Sequence, residues 1–254
     1  MAGFLAWLRF VATLAMVYCS IASTRFGCSG GSNPATVAVP HSPGWWVHRH
    51  LDKVDEVKRR TGKINLLFVG DSITQDYERN EPDLNFLPVW NDFFAPHGAL
   101  NLGFNADQTG QMLWRLRHGE ANGLSPKDVV ILAGANNLNA IGNDKHVQSA
   151  SQVAAGTMAV VEEVHAMMPT ARILVLSILP AGLSAERSAK TAAVNALVQE
   201  QVSHLIYARY LDLTGLFMDG TRFRTELYYD EVLHPNPAGQ RMMAQAVATA
   251  LYED

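Results

Sequence analysis

The chain has 254 residues, 48% of them hydrophobic and 17% charged, with a formal net charge of −4. That length and apolar content suffice for one globular domain with a sizeable core. The mild acidic balance and the lack of a long basic run argue against nucleic acid as a partner, and no internal repeat or low-complexity tract is present.

In chain order, the first feature is the apolar run Phe10 to Ala22, preceded by Arg9 and followed by small residues. It is too short to span a bilayer comfortably and fits the apolar region of a secretory signal over residues 1–22, with Ser20-Ile21-Ala22 as a cleavage site. That reading predicts a secreted or periplasmic protein. An uncleaved N-terminal anchor is the alternative, and would be its one tie to a membrane. Cleavage would remove Cys19 and leave Cys28 single, so neither a disulfide framework nor a cysteine metal cluster is expected. Residues 23–42, rich in Gly, Ser and Pro, read as a flexible linker leading into a folded domain over 43–254.

From Pro43 onward strand and helix signals alternate. Trp46–Arg60 has helical periodicity, with Val47, Leu51, Val54 and Val57 recurring on one side. Strands are predicted at Ile64–Val69, Leu100–Gly103, Val129–Ala133, Ile173–Ile178 and Ala208–Leu213, mostly short and apolar on both faces, as in a parallel sheet covered by helices. Helical patterns fill the gaps at Gln111–His118, Ser151–Met168 and Ala185–Leu205. Met242–Leu251 closes the chain, with Asn236 as N-cap and Pro237 at the first helical position. The alternation predicts an α/β fold: a three-layer α/β/α sandwich on a mainly parallel five-stranded sheet.

In such a sheet the working residues collect beyond the carboxyl ends of the strands. Gly70-Asp71-Ser72-Ile73-Thr74 follows the first strand, Gly103 ends the second, Gly134-Ala135-Asn136-Asn137 follows the third, and His234 precedes the last helix. A serine, a histidine and a carboxylate are the parts of an activated nucleophile. Taken singly, each has a plainer role: Ser72 or Asp71 as a helix cap, Gly103 as a turn glycine, Asn136 as a loop asparagine, His234 as a surface residue. Asn101 and Asp107 read as structural, a buried loop hydrogen bond and a helix cap, and Asn137 as a residue holding its loop. Trp45, Trp46, Trp90 and Trp114 are core or pocket aromatics, Trp90 and Trp114 being nearest the crevice, and Asp76 lies either at the pocket mouth or on a solvated helix.

Gly70-Asp71-Ser72-Ile73-Thr74 resembles the first block of the GDSL, or SGNH, hydrolases. Asn101-Leu102-Gly103-Phe104-Asn105-Ala106-Asp107 resembles the second, Gly134-Ala135-Asn136-Asn137 the third, and His234 the histidine of the last, in the family's order. The layout is similar to the platelet-activating-factor acetylhydrolase-like branch. The resemblance implies the flavodoxin-like SGNH fold and a cofactor-free, metal-free carboxylic ester hydrolase. Ser72 would be the nucleophile and His234 the base, with Gly103 and Asn136 donating to the oxyanion. It favours short acyl groups, acetyl above all, on a small ester that includes acetylated carbohydrates and lipids. The same machinery also serves lysophospholipases, thioesterases and acyltransferases, and a non-catalytic binding module on this fold is a further alternative. The family usually places an aspartate three residues before the histidine; here that position is Glu231, with Asp230 four before. Residue type favours Asp230 and spacing favours Glu231.

Overall fold

The computed structural model describes residues 32–139, 148–230 and 232–253. The predicted leader, most of the linker and Glu231 therefore lie outside the described residues. Five strands form the sheet: β1 (Leu66–Gly70), β2 (Ala99–Gly103), β3 (Asp128–Leu132), β4 (Arg172–Leu176) and β5 (Ala208–Leu211). They pair in the order β2-β1-β3-β4-β5, every pair parallel. This is the predicted sandwich, each strand within a few residues of its expected place.

The period-2 alternation of strand side chains divides the core into two layers. Leu67, Val69, Val129, Ile131, Ile173 and Val175 point to one face and pack with α1 (Gly44–Arg60), α4 (Thr109–Arg115), α5 (Ala150–Met167) and α6 (Ala185–Ser203). Leu66, Phe68, Val130, Leu132, Leu174 and Leu176 point to the other. There they meet α3 (Leu87–Phe93), through Trp90, and α8 (Pro237–Tyr252), through Met243 and Val247. Short α2 (Ser72–Gln75) and α7 (Thr214–Phe217) complete the helices, and a two-stranded hairpin, β6 (Met218–Asp219) with β7 (Arg222–Phe223), lies outside the main sheet. Among the described residues no helix is long and apolar enough to cross a membrane.

One expectation is corrected. The tail of the predicted linker packs as a strap instead of hanging free: Ala35 is buried in the turn Pro34–Thr36, Thr109 Oγ1 donates to the Ala35 carbonyl at 2.6 Å, and Val39 N–H donates to the Gly110 carbonyl at 3.1 Å. Glycines on two helices make the groove. A Cβ on Gly156 would stand 2.6 Å from the Ala35 Cβ, and one on Gly110 2.6 Å from the Val37 carbonyl oxygen. Of its two sequence readings, core and pocket, Trp90 takes the core one. It packs with Phe68, Tyr77 and Phe94 at ring separations of 5.3–5.8 Å, where burial of such rings dominates core energetics.

The strand order reverses between β1 and β3, since β2 lies on one side of β1 and β3 on the other. Such a switch point opens a crevice at the carboxyl edge. Ser72 follows β1 and Asn136 follows β3, so the topology brings the first and third blocks to the two walls of that crevice.

Candidate active site

Chain reversal after β1 depends on close packing. A Cβ on Gly70 would fall 2.0 Å from Thr74 Oγ1, so only glycine lets α2 start directly off the strand. Asp71 caps the helix, its Oδ1 accepting from Ile73 N–H at 3.1 Å. Ser72 is then the first helical residue, half-buried. Burial pushes the Asp71 carboxyl up to about 7 against the opposing Ile73 N–H and the His234 imidazole, and among the described residues Asp71 Oδ2 has no partner.

The last block is carried by the loop before α8. Asn236 caps that helix, accepting from Ala238 N–H at 3.0 Å and Gly239 N–H at 3.1 Å, with Pro237 at the first position as the sequence predicts. Its side-chain amide donates back to the Glu226 carbonyl at 2.8 Å, fixing the loop. His234 Nε2 then lies 2.9 Å from Ser72 Oγ. Asp230 bonds His234 Nδ1 through Oδ2. Its other oxygen, Oδ1, accepts from the Leu233 and His234 N–H groups at 2.9 and 2.8 Å. Partial burial raises the Asp230 carboxyl, but the His234 N–H, the imidazole and the Leu233 N–H outweigh it and hold the group below the usual carboxylate range. The extra residue between acid and base is taken up next to Val232, which has φ +58° and an N–H 2.6 Å from the Asp230 carbonyl oxygen. A β-branched residue in that region is strained. Of the two acids left open by the sequence, the structure brings Asp230 to the imidazole, while Glu231 lies outside the described residues.

The second block departs from expectation. Gly103 N–H donates to Asn101 Oδ1 at 2.7 Å, so the backbone donor assigned to the oxyanion is already engaged. Glycine is needed there for a different reason: a Cβ would stand 2.2 Å from Gln75 N and 2.6 Å from the Thr74 carbonyl carbon. Asn101 is structural as predicted, its Nδ2 donating to the Thr74 carbonyl at 2.7 Å and so tying β2 to the serine's helix. Along the following loop, Phe104 N–H is taken by the Gly70 carbonyl, Asn105 N–H by Gln75 Oε1 and Asp107 N–H by the Phe104 carbonyl. Among the described residues Ala106 N–H has no acceptor, and Ala106 has φ +62°. Asn136 reaches the same loop, its Nδ2 donating to the Asp107 carbonyl at 3.0 Å and leaving its second hydrogen available. Asn137 holds the loop as expected, exchanging bonds with Thr109 N–H and Oγ1, both at 3.0 Å.

Asp107 is no helix cap. Its carboxylate is fully buried and accepts from Trp46 Nε1 at 2.6 Å and Arg115 Nε at 2.7 Å. Arg115, also fully buried, pairs with Glu120, reaches the Leu102 carbonyl at 3.2 Å, and lies 3.8 Å over the Phe104 ring. Glu120 in turn bonds His50 at 2.7 Å. Removing one partner of such a buried pair typically costs about 3–5 kcal/mol, so the network pins the loop that carries Ala106. It escaped the sequence reading, although Arg115 falls on the apolar side of its helix with Met112 and Leu116. A charge on a core-facing position is the signal that was available.

The family model for the GDSL-like Lipase/Acylhydrolase family matches residues 68–242. The chain belongs to this family. Platelet-activating factor acetylhydrolase IB subunit alpha2 of Rattus norvegicus is 34% identical over 196 residues, covering 74% of this chain and 77% of that protein. Among solved structures, a GDSL-like lipase from Bacteroides thetaiotaomicron superposes with a TM-score of 0.63 at 19% identity, covering 81% and 97% of the two chains. An acetylxylan esterase from Geobacillus stearothermophilus gives 0.57 at 19%, covering 74% and 93%. As a GDSL-like acylhydrolase, the protein is a hydrolase of the platelet-activating-factor acetylhydrolase-like branch with the α/β SGNH fold.

Proposed function

We propose that this protein is a serine esterase for short acyl esters, acetyl above all, with Ser72, His234 and Asp230 as its catalytic triad. The observation that carries the reading is the unbroken chain of hydrogen-bond partners from Ser72 Oγ through His234 Nε2 and Nδ1 to the Asp230 carboxylate. His234 takes the proton from Ser72 Oγ as the oxygen attacks the ester carbonyl. Asp230 holds the tautomer and offsets the charge that develops on the ring. The oxyanion meets the Ser72 and Ala106 N–H groups and the free hydrogen of Asn136 Nδ2; each such donor is typically worth about 2.7–4 kcal/mol of barrier. Collapse of the tetrahedral intermediate breaks the ester C–O bond, and the proton on His234 goes to the leaving alcohol. Water then resolves the acyl-enzyme, with His234 again as base.

The preference for acetyl rests on the relatives, named for removing acetyl groups from platelet-activating factor and from xylan. Carbohydrate and lipid alcohols both fit this reading. Assays with aryl esters of graded chain length and with acetylated xylo-oligosaccharides test this, alongside fluorophosphonate labelling. Wild type is expected to label at Ser72 and to turn over acetate fastest, and Ser72→Ala to do neither. Undiminished turnover by folded Ser72→Ala refutes the triad, and activity confined to long acyl chains refutes the acetyl preference.

A further inference from the structure

Tyr229 immediately precedes the triad carboxylate, and the triad does not use it. Its ring lies nearly parallel to the His234 imidazole, 17° between planes and 5.5 Å between centroids. Its N–H donates to the His234 carbonyl at 3.1 Å, so the stacked pair is also tied through the backbone. The Tyr229 hydroxyl donates to Asp76 Oδ2 at 2.9 Å across 153 residues of sequence. Arg79 Nη1 donates to the same hydroxyl at 3.1 Å and lies 3.5 Å from Asp76 Oδ1. The Arg79 guanidinium covers the Tyr229 ring at 5.3 Å and Phe86 at 5.8 Å.

Asp76 is only 6% exposed. It begins the turn Asp76–Glu78 that continues the Ser72 helix, and its N–H bonds back to the Ser72 and Thr74 carbonyls. The Asp76–Tyr229 bond thus joins the segment bearing the nucleophile to the segment bearing the base. We infer, resting on the triad reading above, that Asp76, Tyr229 and Arg79 form a positioning clamp that sets the imidazole plane against Ser72 Oγ and stabilises the imidazolium formed in the reaction. Two physical terms support the second role. An aromatic face attracts a cation. A carboxylate near the ring, in a site partly shielded from water, also favours its charged form. The groups facing the imidazole are then Asp230 and Tyr229 on its own loop, and Ser72, Asp71 and Asp76 from the nucleophile side. Burial raises the Asp76 carboxyl above its usual range, opposed first by the Tyr229 hydroxyl and then by Arg79.

The test compares Tyr229→Leu, Tyr229→Phe and Asp76→Asn with wild type, using kcat, KM and the pH profile of kcat/KM on an aryl acetate, with the pH dependence of fluorophosphonate labelling in parallel. Tyr229→Leu is expected to lower kcat about tenfold or more with KM changed less than about twofold, since misaligned reacting groups cost rate without weakening binding. Its acid limb should move to lower pH by about half a unit as the imidazolium loses its aromatic face. Asp76→Asn keeps an acceptor for the hydroxyl but removes the charge, and should move the limb in the same direction. Tyr229→Phe keeps the stacked ring but loses the bond to Asp76, and its kcat should fall between those of wild type and Tyr229→Leu. A purely structural role would lower the melting temperature without moving the limb. Wild-type acid limbs in Asp76→Asn and Tyr229→Leu overturn the clamp, and should Tyr229→Leu not fold, an unmoved limb in Asp76→Asn alone does so. Failure of wild type to label at Ser72 overturns the triad reading instead.

Discussion

Replacing Asp230 with Asn isolates the contact between acid and base. Asp230 Oδ1 is held by two backbone donors, Leu233 N–H at 2.9 Å and His234 N–H at 2.8 Å. An asparagine would keep its carbonyl oxygen on those donors and turn its NH2 toward His234 Nδ1. The amide would then donate where the carboxylate accepts, forcing the proton onto Nε2, where it blocks proton transfer from Ser72. In a serine protease the equivalent change lowers kcat about 10⁴-fold with the geometry intact, which at 1.36 kcal/mol per decade is about 5.4 kcal/mol of barrier. The same loss is expected here, with the melting temperature little changed because the backbone contacts persist. Glu231→Gln, which leaves the Asp230–His234 contact in place, should keep most of the wild-type kcat. The assay is steady-state hydrolysis of an aryl acetate, with folding checked by circular dichroism. Near-wild-type turnover by Asp230→Asn, together with a large loss in Glu231→Gln, would refute the assignment.

Two further outcomes follow from packing and burial. Gly103→Ala should destabilise the protein by about 1–3 kcal/mol or more, because the new methyl meets backbone atoms of Thr74 and Gln75 that have no rotamer to yield; a denaturant titration showing wild-type stability would refute the close approach. Asp71→Asn keeps the acceptor for Ile73 N–H and removes a buried charge. The folded-state value of about 7 stands above the ordinary value of 3.8, so the folded state retains a proton that the unfolded state releases. Wild type should therefore lose stability relative to the variant as pH rises from about 4 to about 7, at up to roughly 1.4 kcal/mol per pH unit, and parallel stability curves over that range would contradict it.

The sheet was legible because its strands are continuous apolar runs and the helices between them keep their period. Pro237 and Asn236 announced α8, and the order of the four blocks placed Ser72, Asn136 and His234 at one edge. What stayed hidden depended on contacts distant in sequence. The family resemblance made Gly103 an oxyanion donor, but what approaches this glycine is the helix bearing Ser72. Asp107 looked like a cap because it precedes a helix, yet its partners are Trp46 and Arg115. The strap at residues 33–39 reads as a linker by composition, and only the notches at Gly110 and Gly156 reveal a docked segment. Helix α3 passed unnoticed in a short segment with proline at its second position.

The left-handed Val232 has a consequence for how such proteins are recognised. Its Cβ packs against the backbone at Gly182, where a new methyl would stand 2.9 Å away. The loop thereby absorbs one surplus residue while Asp230 still reaches its imidazole. Separation along the chain is thus a poor ruler for this acid–base pair. A search that demands the acid three positions before the histidine would assign the role to Glu231 or pass the chain over, whereas a search on the shape of the loop would find it.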